Sequence, residues 1–442
     1  MRILDKLYSI APVWMQNLMC SVRGGVIAKQ RYSKNFIEAL IEFESGQLDE
    51  REQLKKILQM ISFIPYYSSR NYISSEIGGE MNHWSQFPIL TKAEVKKHLY
   101  EFINTQYTGK IFEMHTGGTT GSGLIFPYSV EMENRQWAIW WKYRRSLGIT
   151  MDTWCGWFGG KSVVPISYRK PPYWRVNYFG KQIMFSASHL NAFTVGYYHK
   201  KICKSQLEWL HGYASVIANL ATLIVQYKHK PIISVKYVTT GSENLLPTQI
   251  DIIKKAFPNA LVRTHYGLSE GVANISQDID GEWRVDTDFA HVEFIPIDEE
   301  NPSRCRIIGT SFWNDAFPLV RYDTGDVALV EWVNGCAVVK SIEGRADETV
   351  LLPDGTRIGA ASLSLIFKVV GTVKEAQIYQ RSIDEVIIRL VVLPSYDKKC
   401  DEEKLLKEAR VKLGDIKVLF EYRDYIERTK SGKYRLVISK IS

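Results

Sequence analysis

An α/β fold followed by a smaller α+β unit is the architecture this sequence predicts, and three observations carry the prediction. From about residue 112 to about 340, short apolar runs alternate with helical patterns, as strand-helix alternation around a parallel sheet requires. The first hundred residues read as helices. After "SIEGRADETVLLPDGTRI" the texture changes to two strand-like runs separated by one amphipathic helix. A domain boundary is therefore expected near 345. This gives a large domain over 1–345, with 1–110 as its mainly helical cap, and a small C-terminal domain over 346–442.

Each element has its own warrant. "EREQLKKILQMISF" spaces Leu54, Ile57, Leu58 and Ile61 at i, i+3, i+4, i+7, one face of a helix. "SVIANLATLIVQY" and "TQIDIIKKAF" are helical in pattern. "ISVKYVTTG", "ALVRTHYG", "HVEFIPI" and "RCRIIGTSF" are apolar runs of strand length. In the last hundred residues "EVIIRLVVL" and "KVLFEYRD" read as strands and "CDEEKLLKEARVKL" as the helix between them. No internal repeat or low-complexity tract interrupts the pattern.

Composition narrows the class. The chain has 442 residues, 45% of them hydrophobic, and a net charge of +8 without a dense Lys/Arg block. That charge favours anionic small molecules and gives no indication of nucleic-acid binding. The six cysteines are scattered without a CxxC pair, which suits reduced, mostly buried thiols in a cytoplasmic protein. The N-terminal "MRILDKLYSIAPVWMQNLMCSVRGG" is broken by Asp5, Lys6 and Pro12, so it lacks the apolar run of a membrane span. Its Leu, Trp and Met residues could suit a membrane surface, but packing on the protein body is the expected use.

The stretch "HTGGTTGSGLIFPYS" (115–129) concentrates glycines and hydroxyls as a phosphate-holding loop does. It is not a kinase P-loop, because Leu124 follows Gly123 where a lysine would be required. Further segments follow in order. "YVTTGSENL" ends a strand in Gly241-Ser242-Glu243. "THYGLSEG" sets Tyr266 four residues before Glu270, a phenol able to stack on a base and a carboxylate able to hold Mg²⁺. "RYDTGDVALV" groups Arg321, Asp323 and Asp326, and a carboxylate at such a turn can accept both hydroxyls of a ribose. "EGRADETVLLPDGTRIG" contains Arg345 and Arg357, and "ERTKSGKYRLV" places Lys433 after Ser431-Gly432.

In this order the motifs Thr116-Gly117-Gly118-Thr119-Thr120-Gly121, Gly241-Ser242-Glu243, Tyr266-Gly267-Leu268-Ser269-Glu270, Tyr322-Asp323-Thr324-Gly325-Asp326, Gly344-Arg345-Ala346-Asp347 and Gly432-Lys433 resemble the core motifs of the adenylate-forming superfamily. That superfamily includes acyl-CoA synthetases, luciferases and adenylation domains. "PILTKAEVKKHL" resembles its phenylacetate-CoA ligase branch. "PYWRVNYFGKQIMFSASHL", "HGYASVIANLA" and "RYSKNFIEALIEFESG" resemble the CapK proteins of capsular polysaccharide biosynthesis.

The resemblance implies a large adenylate-forming α/β domain with a small mobile C-terminal domain. It also implies an AMP-forming ligase using ATP and Mg²⁺. Thr116 to Gly121 would grip phosphates, Gly241 to Glu243 with Tyr266 would frame the adenine, Gly267 and Ser269 would belong to the same ATP site, and Glu270 would ligate Mg²⁺. Asp326 would take the ribose with Arg345 assisting, and Lys433 would bridge carboxylate, ribose and α-phosphate. Asp347 falls at the hinge, and Gly355 and Arg357 in the acceptor tunnel. CoA is the implied acceptor, with a carrier-protein thiol or an amino sugar as alternatives. A non-catalytic nucleotide-binding scaffold of a polysaccharide-assembly complex is the reading from another class. Homodimerisation is left open.

Three departures accompany the resemblance. The phosphate loop lacks a closing Pro-Lys, "GVANISQDIDGEWRV" lacks the Cys-rich insertion of some relatives, so structural zinc is not expected, and Ala214 stands where CapK relatives tend to carry proline. From the residues themselves, Trp154, Trp157 and Phe158 of "WCGWFGG" are candidates for an apolar acyl-pocket wall, although aromatics in such a run more often belong to the core.

Overall fold

The computed structural model describes all residues except 1–2, 71–83, 85–86, 117–123, 160–162, 166–167, 299–301, 346–348, 354–356, 360–362, 364, 430–433 and 442. The chain divides into two compact units, one of residues 1–25, 151–264 and 342–442 and one of residues 26–150 and 265–341.

In the first unit, the first four residues of strand Leu261–Gly267 and strands Tyr237–Gly241, Trp209–Gly212, Cys155–Phe158, Gln182–Phe185 and Trp174–Asn177 follow one another across a sheet. Trp209–Gly212 runs parallel to both Tyr237–Gly241 and Cys155–Phe158, and the latter runs parallel to Gln182–Phe185. The edge strand Trp174–Asn177 is antiparallel to its neighbour. Helices Ala214–Gln226 and Pro247–Ala256 make the crossovers that parallel strands need. The sheet residues Ile183, Phe185, Leu210, Val238 and Val262 form one core with Ile217, Leu220, Leu223 and Ile253 of these helices. The near-continuous apolar reading of "SVIANLATLIVQY" follows from this, since the helix is also flanked by helices Val195–Lys204 and Pro247–Ala256.

Residues 342–442 form an α+β layer within the same unit, with strands in the order Lys417–Tyr422, Glu385–Val392, Val373–Ser382, Val437–Ser439. Val373–Ser382 and Glu385–Val392 make an antiparallel hairpin, and the outer strands are parallel to their neighbours. Helix Lys398–Leu413 is the crossover. Asp397 caps it by accepting from the amides of Lys399 and Cys400, and Leu405, Ala409 and Leu413 lie in the core with Ile378, Ile388 and Leu390.

In the second unit, helix Lys34–Ser45 packs on helix Val130–Ser146 and buries Phe36, Leu40 and Phe43. Helix Glu50–Ile61 has the expected face, with Leu54, Ile57 and Ile61 buried. Its Asp49 accepts from the Arg51 amide at 2.8 Å. The segments "HVEFIPI" and "RCRIIGTSF", expected as part of the strand-helix alternation, form antiparallel strands of a separate sheet ordered Ala290–Pro296, Arg304–Ser311, Tyr322–Val333, Cys336–Arg345. The link from Pro296 to Arg304 is too short for a crossover, so the antiparallel pairing is forced.

The cysteines are less buried than expected. Cys155 and Cys305 are buried, Cys20 and Cys203 are half-buried, and Cys336 and Cys400 are exposed. Burial pushes the Cys305 thiol above its ordinary value.

Candidate nucleotide and carboxylate site

Strands Ile111–His115 and Ile125–Ser129 pair antiparallel, and the glycine-rich loop springs from their open end. Its neck is closed by a reciprocal pair, because the Thr116 amide donates to the Leu124 carbonyl at 2.9 Å and the Leu124 amide donates to Thr116 Oγ1 at 2.8 Å. Gly117, Gly118, Thr119, Thr120 and Gly121 lie outside the described residues. Lys92 Nζ donates to Thr116 Oγ1 at 3.2 Å. This ammonium at the neck supplies a positive charge of the kind whose absence after Gly123 stood out in the sequence. Lys92 opens helix Lys92–Lys97, capped by Thr91, and its signal was present in "PILTKAEVKKHL".

Tyr266 and Glu270 flank a turn. Tyr266 lies near the end of strand Leu261–Gly267, and the Gly271 amide donates to the Leu268 carbonyl at 3.1 Å. The glycine at 271 has φ +68°, a conformation that ordinary residues rarely adopt. Gly267 and Ser269 are exposed, whereas Glu270 is 6% exposed. A carboxylate this buried needs a hydrogen-bond partner. The Tyr322 hydroxyl donates to Glu270 Oε1 at 3.4 Å.

The segment Tyr322-Asp323-Thr324-Gly325-Asp326 passes through a register shift in the antiparallel sheet, opposite Arg306–Ile308. Its irregular backbone is held by side chains. Thr324 Oγ1 donates to the Ile307 carbonyl at 2.8 Å, the Asp326 amide donates to Thr324 Oγ1 at 3.1 Å, and the Gly325 amide donates to Asp323 Oδ1 at 2.8 Å. Asp326, 6% exposed, then accepts from the Tyr266 hydroxyl at 2.8 Å. A carboxylate carries about four acceptor positions, so its partnership with the phenol is compatible with ribose hydroxyls as further donors.

Arg321 is structural. Its Nε and Nη2 fork onto Glu293 at 2.9 Å each, and its Nη1 donates to the Phe87 carbonyl. The Leu90 amide donates to the Arg321 carbonyl, and Leu90 and Tyr322 form a parallel bridge. This ties the segment carrying Lys92 to the strand carrying Asp326. Thr116, Lys92, Glu270, Tyr322, Tyr266 and Asp326 are thus linked within the second unit.

The remaining candidates divide differently. Gly241 ends its strand, and Ser242 is exposed with φ +66°. Glu243 Oε2 accepts from the Ser215 amide at 2.9 Å, and Oε1 from the Tyr434 amide at 2.7 Å. Tyr213 gives no side-chain cap to helix Ala214–Gln226, so Glu243 satisfies that helix end from outside. Ala214 is the first helical residue there, a position where proline is favoured but not required. Burial pushes the Glu243 carboxyl above its ordinary range, and the two amides oppose that shift. The Tyr434 contact, 191 residues away, has no counterpart in local sequence.

Gly344 has φ +81°, and Asn244 Nδ2 donates to the adjoining Glu343 carbonyl at 2.6 Å. A Cβ at 344 would lie 2.9 Å from that nitrogen, and the positive φ disfavours any other residue there. Arg345 ends strand Cys336–Arg345, and Arg357 begins strand Arg357–Gly359, paired with Thr349–Leu351. The side chains of Arg345 and Arg357, and all of Asp347, Gly355 and Lys433, lie outside the described residues.

Of the candidate acyl-pocket aromatics, Phe158 is fully buried and stacks on Phe185 at 4.7 Å, so it is a core residue. Trp154 packs edge-on to Tyr178, and Trp157 is half-buried beside Gly159.

Among the described residues no three His, Cys, Asp or Glu side chains cluster as a metal cage. Glu270 alone nevertheless fits Mg²⁺, which commonly takes one or two carboxylates together with substrate phosphates and waters.

Comparison with known proteins follows the same lines. The family model described as the CapK C-terminal domain matches residues 350–440. Protein CapK of Staphylococcus aureus is 29% identical over 459 residues, covering 99% of this chain and 100% of that protein. Among solved structures, 2-hydroxyisobutyryl-CoA ligase in the postadenylation state with R3-HIB-AMP superposes with a TM-score of 0.66 at 13% identity, covering 89% of each chain. The GH3.15 acyl acid amido synthetase gives 0.55 at 12% identity, covering 88% of this chain and 86% of that one. The anthranilate CoA ligase AuaEII with anthranoyl-AMP gives 0.53 at 12%, covering 74% and 66%. The chain is a full-length relative of Protein CapK, and its fold is that of the adenylate-forming enzymes.

Proposed function

We propose that the protein is an ATP- and Mg²⁺-dependent ligase that activates a small carboxylic acid as its acyl-adenylate and passes the acyl group to a thiol, most simply that of CoA. The observation that carries this reading is the linked set in the second unit. It combines the Lys92–Thr116 contact at the neck of the glycine-rich loop, Glu270 under the Tyr322 hydroxyl, and Asp326 under the Tyr266 hydroxyl. A phosphate-facing cation, a buried carboxylate for a metal and a second buried carboxylate for a ribose are the three things a nucleoside triphosphate with Mg²⁺ asks of a protein.

In the first step a carboxylate oxygen of the acid attacks the α-phosphorus. That O–P bond forms as the bond to the bridging oxygen breaks, and pyrophosphate leaves. The nucleophile is already ionised, so the protein supplies positioning and charge stabilisation and no general base is needed. Mg²⁺, when bound, neutralises phosphate charge. Lys92 and the Thr116 loop hold the leaving end, Asp326 fixes the ribose, and Lys433 stabilises charge at the α-phosphate. In the second step the thiol sulfur attacks the acyl carbon, AMP leaves and the thiol proton goes to solvent. We assign residues 346–442, hinged at Asp347, to a body that changes position between the steps, with Gly355 and Arg357 beside the acceptor's path.

The alternative acceptors are a carrier-protein thiol and the amine of an amino sugar. The same fold serves CoA ligases and an amido synthetase, so fold alone does not choose among them. Capsule or O-antigen assembly is the setting that the CapK-like segments of the sequence suggest. The presence of Glu270, Asp326, Arg345 and Lys433 argues against the scaffold reading.

The test is product identification. Incubation with ATP, Mg²⁺ and a panel of aryl, hydroxy and amino acids, with and without CoA, is expected to give AMP and pyrophosphate with at least one acid. Stoichiometric ADP and acyl phosphate would overturn the proposal.

A further inference from the structure

Helix Val13–Arg31 carries its polarity the wrong way round for a surface helix. Two of its polar residues, Gln16 and Ser21, point inward. Gln16 is 0% exposed and Ser21 is 3% exposed, and both serve the edge strand Trp174–Asn177 and what surrounds it. Gln16 Nε2 donates to the Tyr8 and Ala11 carbonyls at 2.9 Å, and its Oε1 accepts from buried Arg175. Asn17 Oδ1 accepts from the Val176 amide at 3.0 Å. The Ser21 hydroxyl donates to the Val176 carbonyl at 3.2 Å and accepts from the Tyr178 amide at 3.1 Å. An edge strand exposes unpaired amides and carbonyls, and this helix satisfies them with side chains.

The consequence falls on the side of the helix turned away from Gln16. Trp14, Leu18 and Val22, at i, i+4, i+8, are 64%, 55% and 55% exposed, and Ile10, in the preceding helix, is 80% exposed. Tyr178 and Phe179, in the turn that leaves the same edge strand, are 63% and 67% exposed. The Phe179 ring lies against the helix, 3.2 Å from where a Cβ on Gly25 would stand. Apolar and aromatic side chains therefore project together into solvent, where a monomeric soluble protein rarely leaves them.

Charge selects the occupant. Between residues 1 and 37 the basic residues are Arg2, Lys6, Arg23, Lys29, Arg31 and Lys34, and Asp5 is the sole acidic residue. Arg31 is paired with Glu133 and Lys34 with Glu38, whereas Arg23 and Lys29 have no carboxylate within ion-pair distance among the described residues. Exposed Lys29 projects on the same helical face as Leu18 and Val22. An apolar stripe with aromatic edges and unpaired cations is the pattern of a helix lying in the interfacial plane of an anionic bilayer. No helix among the described residues is long and apolar enough to cross a membrane.

We propose that helix Val13–Arg31, with Ile10 and the Tyr178–Phe179 turn, docks the protein peripherally on an anionic lipid surface. The apolar face enters the headgroup region, and Lys29, on that face, engages lipid phosphates, while Arg23, exposed on another side of the helix, adds to the positive field.

The experiment is co-sedimentation of the full chain with large vesicles of phosphatidylcholine alone or mixed with phosphatidylglycerol, at low and high salt. Wild type is expected to sediment with the anionic vesicles and to be released by salt. The variant Trp14→Asp/Leu18→Asp/Val22→Asp, checked for an unchanged melting temperature, is expected to lose about tenfold or more in partitioning. Arg23→Glu/Lys29→Glu is expected to lose the preference for phosphatidylglycerol and serves if the triple variant does not fold. Absence of wild-type binding to anionic vesicles would overturn the proposal, as would equal binding by the triple variant. Sedimentation velocity showing a dimer that the triple variant dissociates would assign the face to a second copy of the chain instead.

Discussion

The Tyr266 hydroxyl donates to Asp326 Oδ2 at 2.8 Å across 60 residues of sequence, joining the "YGLSE" turn to the "YDTGD" bulge. Two motifs that are unremarkable in isolation become one feature, a buried carboxylate whose orientation is fixed by a phenol.

Tyr266→Phe should leave that carboxylate in place and unrestrained. A hydrogen bond to a charged group is worth about 1.5–3 kcal/mol. The expected result is a rise of roughly tenfold in KM for ATP with a smaller change in kcat. Asp326→Ala should lose more than this, because the ribose acceptor itself is gone. Steady-state kinetics with ATP varied at saturating acid measures both, and an unchanged KM in both variants would separate the pair from nucleotide binding.

Glu270→Gln keeps the size of the side chain and a carbonyl oxygen for the Tyr322 hydroxyl but removes the charge that suits a metal. Adenylation should fall by about 10²-fold, in line with the loss of one preorganised electrostatic contact, while the melting temperature stays within a few degrees of wild type. A magnesium titration of both proteins checks this. Near-normal activity combined with a large loss of thermal stability would make Glu270 a structural residue.

The Arg321–Glu293 fork should matter for stability first. Arg321 is buried and holds Glu293 through two hydrogen bonds, so Glu293→Ala removes a charge-assisted fork and should destabilise the fold by about 1.5–3 kcal/mol. Because the Arg321 carbonyl also accepts from the Leu90 amide, two residues before Lys92, KM for ATP should rise as well. Thermal melts and ATP kinetics on the same preparation test the pair of effects.

Several of these relations were legible in the sequence and several were not, for reasons that can be stated. The C-terminal strands and helix were readable because Val386, Ile388 and Leu390 alternate while Leu405, Ala409 and Leu413 repeat at helical spacing. The antiparallel pairing of Ala290–Pro296 with Arg304–Ser311 was not read, because apolar periodicity is the same in either direction and only the short connection distinguishes them. The role of Lys92 is not legible in sequence, since nothing local to "LTKAEV" points to Thr116. Glu243 offered a turn and a carboxylate, but its partner at Tyr434 exists only in three dimensions. The helix Val13–Arg31 was expected to pack its apolar side inward, and the unsatisfied backbone of an edge strand reversed it.

Asp286 gives a pH signature. Its carboxylate accepts from Asn274 Nδ2 at 2.7 Å and Ser276 Oγ at 2.9 Å, yet burial, the larger effect, pushes it up to about 6 from an ordinary value of 3.8. The folded protein therefore holds this proton more tightly than the unfolded chain. The associated stability is fully present below 3.8 and is lost as pH rises through about 6. Asp315, also pushed up to about 6 by burial, acts with the same sign. Asp286→Asn should remove its share, so wild type loses about 2–3 kcal/mol relative to the variant between pH 4 and 7. Denaturation midpoints of both proteins across that range supply the comparison, and a difference independent of pH would contradict the assignment.

The central claim is that the protein activates a carboxylate at the α-phosphate of ATP. It is tested most directly by exchange of labelled pyrophosphate into ATP, measured with each acid of an aryl, hydroxy and amino acid panel and no acceptor present. Exchange is expected to require both Mg²⁺ and a particular acid and to be lost in Asp326→Ala. Exchange absent with every acid, from protein that binds ATP and forms ADP, would contradict it.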